Sequence, residues 1–147
     1  MTDLLSRLQS NRYRGATAWL VTIVRVVTGA FFVSVSTGKF LDYSQEVHDF
    51  RGFEVPWPEG AVIVVGVVEL VGGLLVVVGF LTRPAAFVLA LDMVGALATA
   101  GRVEGGSFHL VYGPVLLLLM VFLCWAGPGR LSVDEHMAAR AGPLRAM

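Results

Sequence analysis

The sequence predicts an all-α polytopic membrane protein, a four-transmembrane-helix bundle with both termini cytoplasmic. Three observations carry this. Of the 147 residues 56% are hydrophobic and only 15% charged, against roughly 25% charged in a soluble domain. The apolar residues gather into four stretches, each near the ~20 residues that cross a hydrocarbon core. The basic residues outside those stretches favour one side of the alternating connections, and the side rich in Lys and Arg is the cytoplasmic one.

The elements follow in order. Residues 1–15 form an N-terminal arm with Arg7, Arg12 and Arg14. The first span covers residues 16–38 and is interrupted only by Arg25. Its length, its central charge and the Phe31-Phe32 pair argue for a retained helix, since a signal peptide has a shorter apolar run of about 7–15 residues. Residues 39–59 form an outer loop. Within it Tyr43, Val47 and Phe50 have helical spacing, which predicts a short amphipathic helix on the membrane surface. Trp57 between Pro56 and Pro58 reads as an interfacial anchor. The second span covers 60–82, broken only by Glu69, and the third covers 84–101, broken only by Asp92. Pro84 suits a helix start, where its missing N–H costs nothing. The fourth span covers 108–127 without a carboxylate, Lys or Arg, and Gly127-Pro128-Gly129 ends it. Residues 128–147 form the tail. This topology puts seven arginines on the side of the termini and three basic residues on the other.

Composition excludes several functions. Net charge is zero, so there is no basic field for nucleic acid. The single cysteine, Cys124, allows no internal disulfide, Cys-x-x-Cys pair or thiolate-ligated iron–sulfur cluster within the chain. No His lies at the centre of a span to hold a haem, and no metal-ligand spacing or phosphate loop is present. The sequence therefore assigns no catalytic residue, no metal and no redox centre to the chain itself.

Arg25, Glu69 and Asp92 are the candidate polar core. An ionisable group at mid-membrane costs at least about 2.5–3.5 kcal/mol, so it normally faces the bundle interior and finds a partner. Residues three, four and seven apart share a helical face. Arg25 shares one with Ala18, Thr22, Thr28 and Gly29, Glu69 with Gly66, Gly72 and Gly73, and Asp92 with Ala85, Gly95, Ala96 and Thr99. Small and hydroxylated residues let membrane helices approach closely. Counting from the span ends puts Arg25 and Asp92 roughly 12–14 Å and Glu69 ~20 Å from the cytoplasmic side. The long Arg25 side chain is therefore expected to reach one or both carboxylates. Such a group serves proton relay or ligand binding, or only fixes helix pairing. Lys39, His109 and Tyr112 near the outer face are a second candidate set, for a lipid or quinone head group. Plain interfacial placement is the alternative, since Tyr and Lys favour that depth.

Three ordered pieces carry a resemblance. Arg25, Gly29 and Gly38-Lys39-Phe40 come first. Glu69 with Gly72-Gly73, Gly79 and Thr82-Arg83 follows. Gly127-Pro128-Gly129-Arg130-Leu131-Ser132 with Asp134 closes the set. In order and spacing, over residues 18 to 134, they resemble the DoxX family of small four-helix bacterial membrane proteins. The resemblance implies a bacterial plasma-membrane helical bundle. It also implies a link to quinone-dependent respiratory or sulfur metabolism, as in thiosulfate:quinone oxidoreductases and quinol oxidases with DoxX-like or DoxD-like subunits, or to oxidative-stress and thiol-redox complexes. The expected function is thus a membrane subunit of a redox-linked assembly, not autonomous as an enzyme. Its expected partners are membrane lipid, a bound quinone, an oxidoreductase and a second copy of the chain. A small-solute or lipid carrier and a structural scaffold are the alternatives.

Overall fold

The computed structural model describes residues 12–13, 15–104 and 108–141, with the side chains of Phe108, His109, Arg140 and Ala141 outside the described set. The described residues form helices and turns and no strand. In chain order the helices are α1 (Ala16–Leu41), α2 (Tyr43–Gly52), α3 (Pro58–Val78), α4 (Thr82–Ala98), the short α5 (Ala100–Val103), a π-turn (Phe108–Tyr112), α6 (Gly113–Ala126) and α7 (Val133–Ala141). Three stretches, Ala16–Leu41, Pro58–Val78 and Thr82–Val103, are long and apolar enough to cross a membrane, and Leu110–Ala126 is a shorter apolar fourth. This is a four-helix membrane bundle.

Packing follows the small residues. Helices α1 and α3 run antiparallel and meet at Gly29 and Gly73, where a Cβ on either would press on the carbonyl of the other. Gly72 gives α4 the same access, with Leu89 lying where a Gly72 Cβ would go. Glycine at such crossings lets backbones approach closely. Helix α6 packs on α4 and closes the ring against α1. The core holds Phe32, Val76, Leu89, Met120 and Leu123, each no more than 1% exposed. Leu20, Val27, Val71, Leu91 and Leu118 point outward, as a lipid-facing surface requires.

Several boundaries move from the expected ones. Helix α3 stops at Val78, four residues before the expected end, because Gly79 adopts φ 70° and receives the helix as its C-cap. Thr82 therefore belongs to α4. Helix α4 ends at Ala98, and Thr99 turns the chain into α5. The fourth span does not begin as a regular helix. Pro114, near the start of α6, has no N–H for the preceding turn, and the chain before it takes π spacing. The short helix expected in the outer loop is present as α2, packed on α3 and tied to it by Tyr43 Oη donating to the Glu59 carbonyl at 2.8 Å. The arm residues Arg7 and Arg14 and the tail residue Arg145 lie outside the described residues.

Candidate functional site

The register of α1 on α3 decides which charges meet. Arg25 lies against Gly79, Gly29 against Gly73 and Phe40 against Gly66. Glu69 is therefore level with about residue 35 of α1, ten residues or ~15 Å beyond Arg25. Arg25 cannot reach it. Instead Lys39, from the last turn of α1, bends inward, and its Nζ stands 3.0 Å from Glu69 Oε2. Both side chains are buried, at 8% and 5% exposure. The pair is an ion contact whose angle leaves Glu69 Oε2 without a well-formed hydrogen bond. The register of α3 on α4, set by Gly72 against Leu89, brings Asp92 level with Glu69. Asp92 interacts electrostatically with both Lys39 and Glu69, and its Oδ2 is buried without a hydrogen-bond partner among the described residues.

These three groups lie on the wall of a cavity of about 580 Å³ at the end of the bundle where α1 finishes and α3 begins. Phe31, Phe32 and Val35 of α1, Val65 of α3 and Leu116 of α6 make apolar walls. Helix α2 roofs it with Glu46, Asp49 and Phe50, and Phe53 follows. The small face of Asp92 acts differently from expectation. Gly95, Ala96 and Thr99 line the cavity, and a Cβ built on Gly95 meets nothing within 4 Å. The absent side chains make room.

Arg25 belongs to the opposite end of the bundle. It is 1% exposed, and its Nη2 donates to the Leu131 carbonyl at 3.1 Å. The carboxylates of Asp134 and Glu135 are near enough to act on it. Around it the segment after α6 folds back across the helix ends. Thr22 Oγ1 accepts the Arg130 N–H at 2.8 Å. Asp134, fully buried, accepts the N–H groups of Leu81 and Thr82 and the Thr82 hydroxyl, each at 3.0 Å, and so satisfies the open donors at the start of α4. Ser132 caps α7, its Oγ accepting the Glu135 N–H at 3.1 Å, and the Glu135 carboxylate accepts the Leu131 N–H at 3.0 Å. Leu81 and Leu131 both sit at positive φ, 49° and 51°. Such strain persists where surrounding contacts over-determine it, and both residues are held by these bonds.

The expected trio is thus divided. The structure brings Glu69 and Asp92 together, adds Lys39 from the second candidate set, and places Arg25 elsewhere. Of that second set, Tyr112 is 57% exposed and does not line the cavity, and the His109 side chain lies outside the described residues. Glu46 and Asp49 on the roof and Asp134 at the far end had no assigned role from spacing. The signal for Asp134 was its place in the first turn of a helix preceded by Ser132.

A bundle of this kind, with ionisable side chains turned inward onto a cavity, defines a small multi-pass membrane protein. Its family follows from comparison: a family model described as DoxX matches residues 20–102, and the chain belongs to the DoxX family. It is 35% identical over 136 residues to an uncharacterized membrane protein of Mycobacterium tuberculosis, covering 82% of this chain and 83% of that one. It is 29% identical to an uncharacterized protein of Haemophilus influenzae, over 80% of this chain and 90% of the relative. It is also 28% identical to a Bacillus subtilis protein named as a candidate oxidoreductase, CatD, over 78% of this chain and 84% of the relative. No solved structure matches significantly.

Proposed function

We propose that the chain is a membrane subunit of a redox-linked assembly and that its cavity holds the head group of a quinone. The carrying observation is the cavity of about 580 Å³ with apolar walls and the buried Lys39–Glu69 pair beside Asp92. Sites for small amphipathic molecules have this make-up, roughly 300–1,000 Å³, mainly apolar, with a few polar groups that fix orientation. The residues suit the ligand. Lys39 has three donors and spends one direction on Glu69, so it retains N–H groups for a quinone carbonyl. Asp92 offers an unengaged acceptor for a hydroxyl of the reduced head. A bound quinone supplies two-electron carrier chemistry. The side chains of this chain hold and orient its head and keep the tail among Phe31, Phe32 and Leu116. The oxidoreductase name of the Bacillus subtilis relative supports the redox link.

The proposed setting is the bacterial plasma membrane with both termini cytoplasmic, as the seven-to-three division of basic residues favours. The cavity then lies near the outer face. The test is extraction of the protein from its own membrane into polymer-bounded nanodiscs, with quinone measured in the organic extract and partners identified after crosslinking. Near-stoichiometric quinone that falls on Lys39→Met, with a copurifying redox enzyme, is the expected result. Lipid in the proportions of the bulk membrane and no redox partner would refute the proposal.

A further inference from the structure

The charges around the cavity are unequal, and the inequality says what else it admits. Among the described residues Lys39 is the one basic side chain on its lining, and Glu69 already faces it. Asp92 leaves a surplus negative charge at the floor. Glu46 and Asp49 add two carboxylates nearer the mouth, with His48 Nδ1 3.6 Å from the exposed Asp49 Oδ1. Of the neighbouring arginines, Arg51 pairs with Glu59 at 2.7 Å and Arg102 lies 3.8 Å from Glu54. A low-dielectric cleft lined by one sign of charge concentrates ligands of the other sign. The apolar walls include the rings of Phe31, Phe32, Phe50 and Phe53, and aromatic rings attract cations.

We infer that this cavity is a binding site for hydrophobic organic cations, with Asp92 as the counter-ion, and that it rejects anions of the same shape. The inference rests on the reading of the cavity as a ligand site. It concerns a ligand class different from the uncharged quinone, which would share the same walls. A cation with aromatic or aliphatic arms meets three conditions here: apolar walls for the arms, the Asp92 carboxylate at the floor with Oδ2 lacking a hydrogen-bond partner among the described residues, and an acidic approach. An anion meets only the first, because the single charge of Lys39 is outnumbered by the carboxylates on the lining.

Two ions of matched shape and opposite charge test this directly. The purified full chain in phosphatidylcholine nanodiscs is titrated with tetraphenylphosphonium and, separately, with tetraphenylborate, against empty nanodiscs. Expected is saturable retention of the phosphonium, no saturable retention of the borate, and at least a tenfold weaker phosphonium affinity in Asp92→Asn. Gly95→Leu, which fills the cavity and leaves every charge in place, is expected to abolish phosphonium binding, so the test survives a folding defect in Asp92→Asn. Phosphonium retention equal to that of empty nanodiscs, equal saturable binding of both ions, or phosphonium binding indifferent to both variants would each overturn the inference. Decylubiquinone titrated in parallel separates the two readings. Saturable quinone binding without phosphonium binding ends the cation inference alone, and the converse ends the quinone proposal alone.

Discussion

At the scale of single residues, the Lys39–Glu69 pair carries the largest consequence. Removing one partner of a buried ion pair leaves an uncompensated charge, at a cost of about 3–5 kcal/mol, whereas replacing both with apolar groups is often neutral. Lys39→Met is therefore expected to lower the thermal midpoint in mild detergent strongly, and Lys39→Met with Glu69→Met to recover most of it. Equal losses in the single and double variants would mean that the pair is not a coupled unit. Asp134→Ala removes three hydrogen bonds from the start of α4 and leaves buried donors behind, each worth about 1–3 kcal/mol when orphaned. Amide exchange at Leu81 and Thr82 should rise in that variant while the α1–α3 contact stays protected. The sequence made the importance of Glu69 and Asp92 legible, because a carboxylate in an apolar run is conspicuous. It hid the partner. Lys39 sits at a helix end, where a lysine ordinarily turns outward to water, and only the register of α1 on α3 shows that it turns inward.

At the scale of elements, the segment after α6 is a clasp rather than a tail. Its GPGRLSVDE run binds Thr22 and Arg25 of α1 and the first turn of α4. Deletion of residues 128–147 takes away the carbonyl that Arg25 uses and the carboxylates near it, leaving a buried guanidinium without compensation. The truncated protein is expected to give a poor folded yield by size-exclusion chromatography, and Arg25→Leu in the truncated chain to recover part of it. No recovery would show that Arg25 is tolerated without the clasp. The four spans and their order could be read from hydropathy alone. The ends could not, because hydropathy runs straight through Gly79 and Thr82, and the π-turn before Pro114 depends on one missing N–H. Glycines sharing a face also looked alike in the sequence. Gly29 and Gly73 meet a neighbouring backbone, whereas Gly95 meets open space. Gly29→Val should therefore destabilise the bundle by about 1–3 kcal/mol through overpacking, while Gly95→Ala should be tolerated or slightly stabilising, since Ala exceeds Gly as a helix former. Thermal unfolding of the two variants side by side reads that contrast.

At the scale of the molecule, the four helices divide the work between their two ends. One end is closed by the clasp, with Arg25 and Asp134 at its centre. The other opens a cavity beneath α2, with Lys39, Glu69 and Asp92 on its wall. Composition and spacing announced a membrane bundle with inward charges, but not this division, because depth counted from span ends ignores the offset between neighbouring helices. Whether the cavity holds a ligand is read by native mass spectrometry of the protein released gently from its own membrane, with Gly95→Leu beside the wild type. Expected are a wild-type species carrying one quinone-sized adduct and a folded Gly95→Leu species that has lost it while keeping its phospholipids. Identical spectra for the two proteins, or phospholipid alone on the wild type, would contradict a ligand-holding cavity.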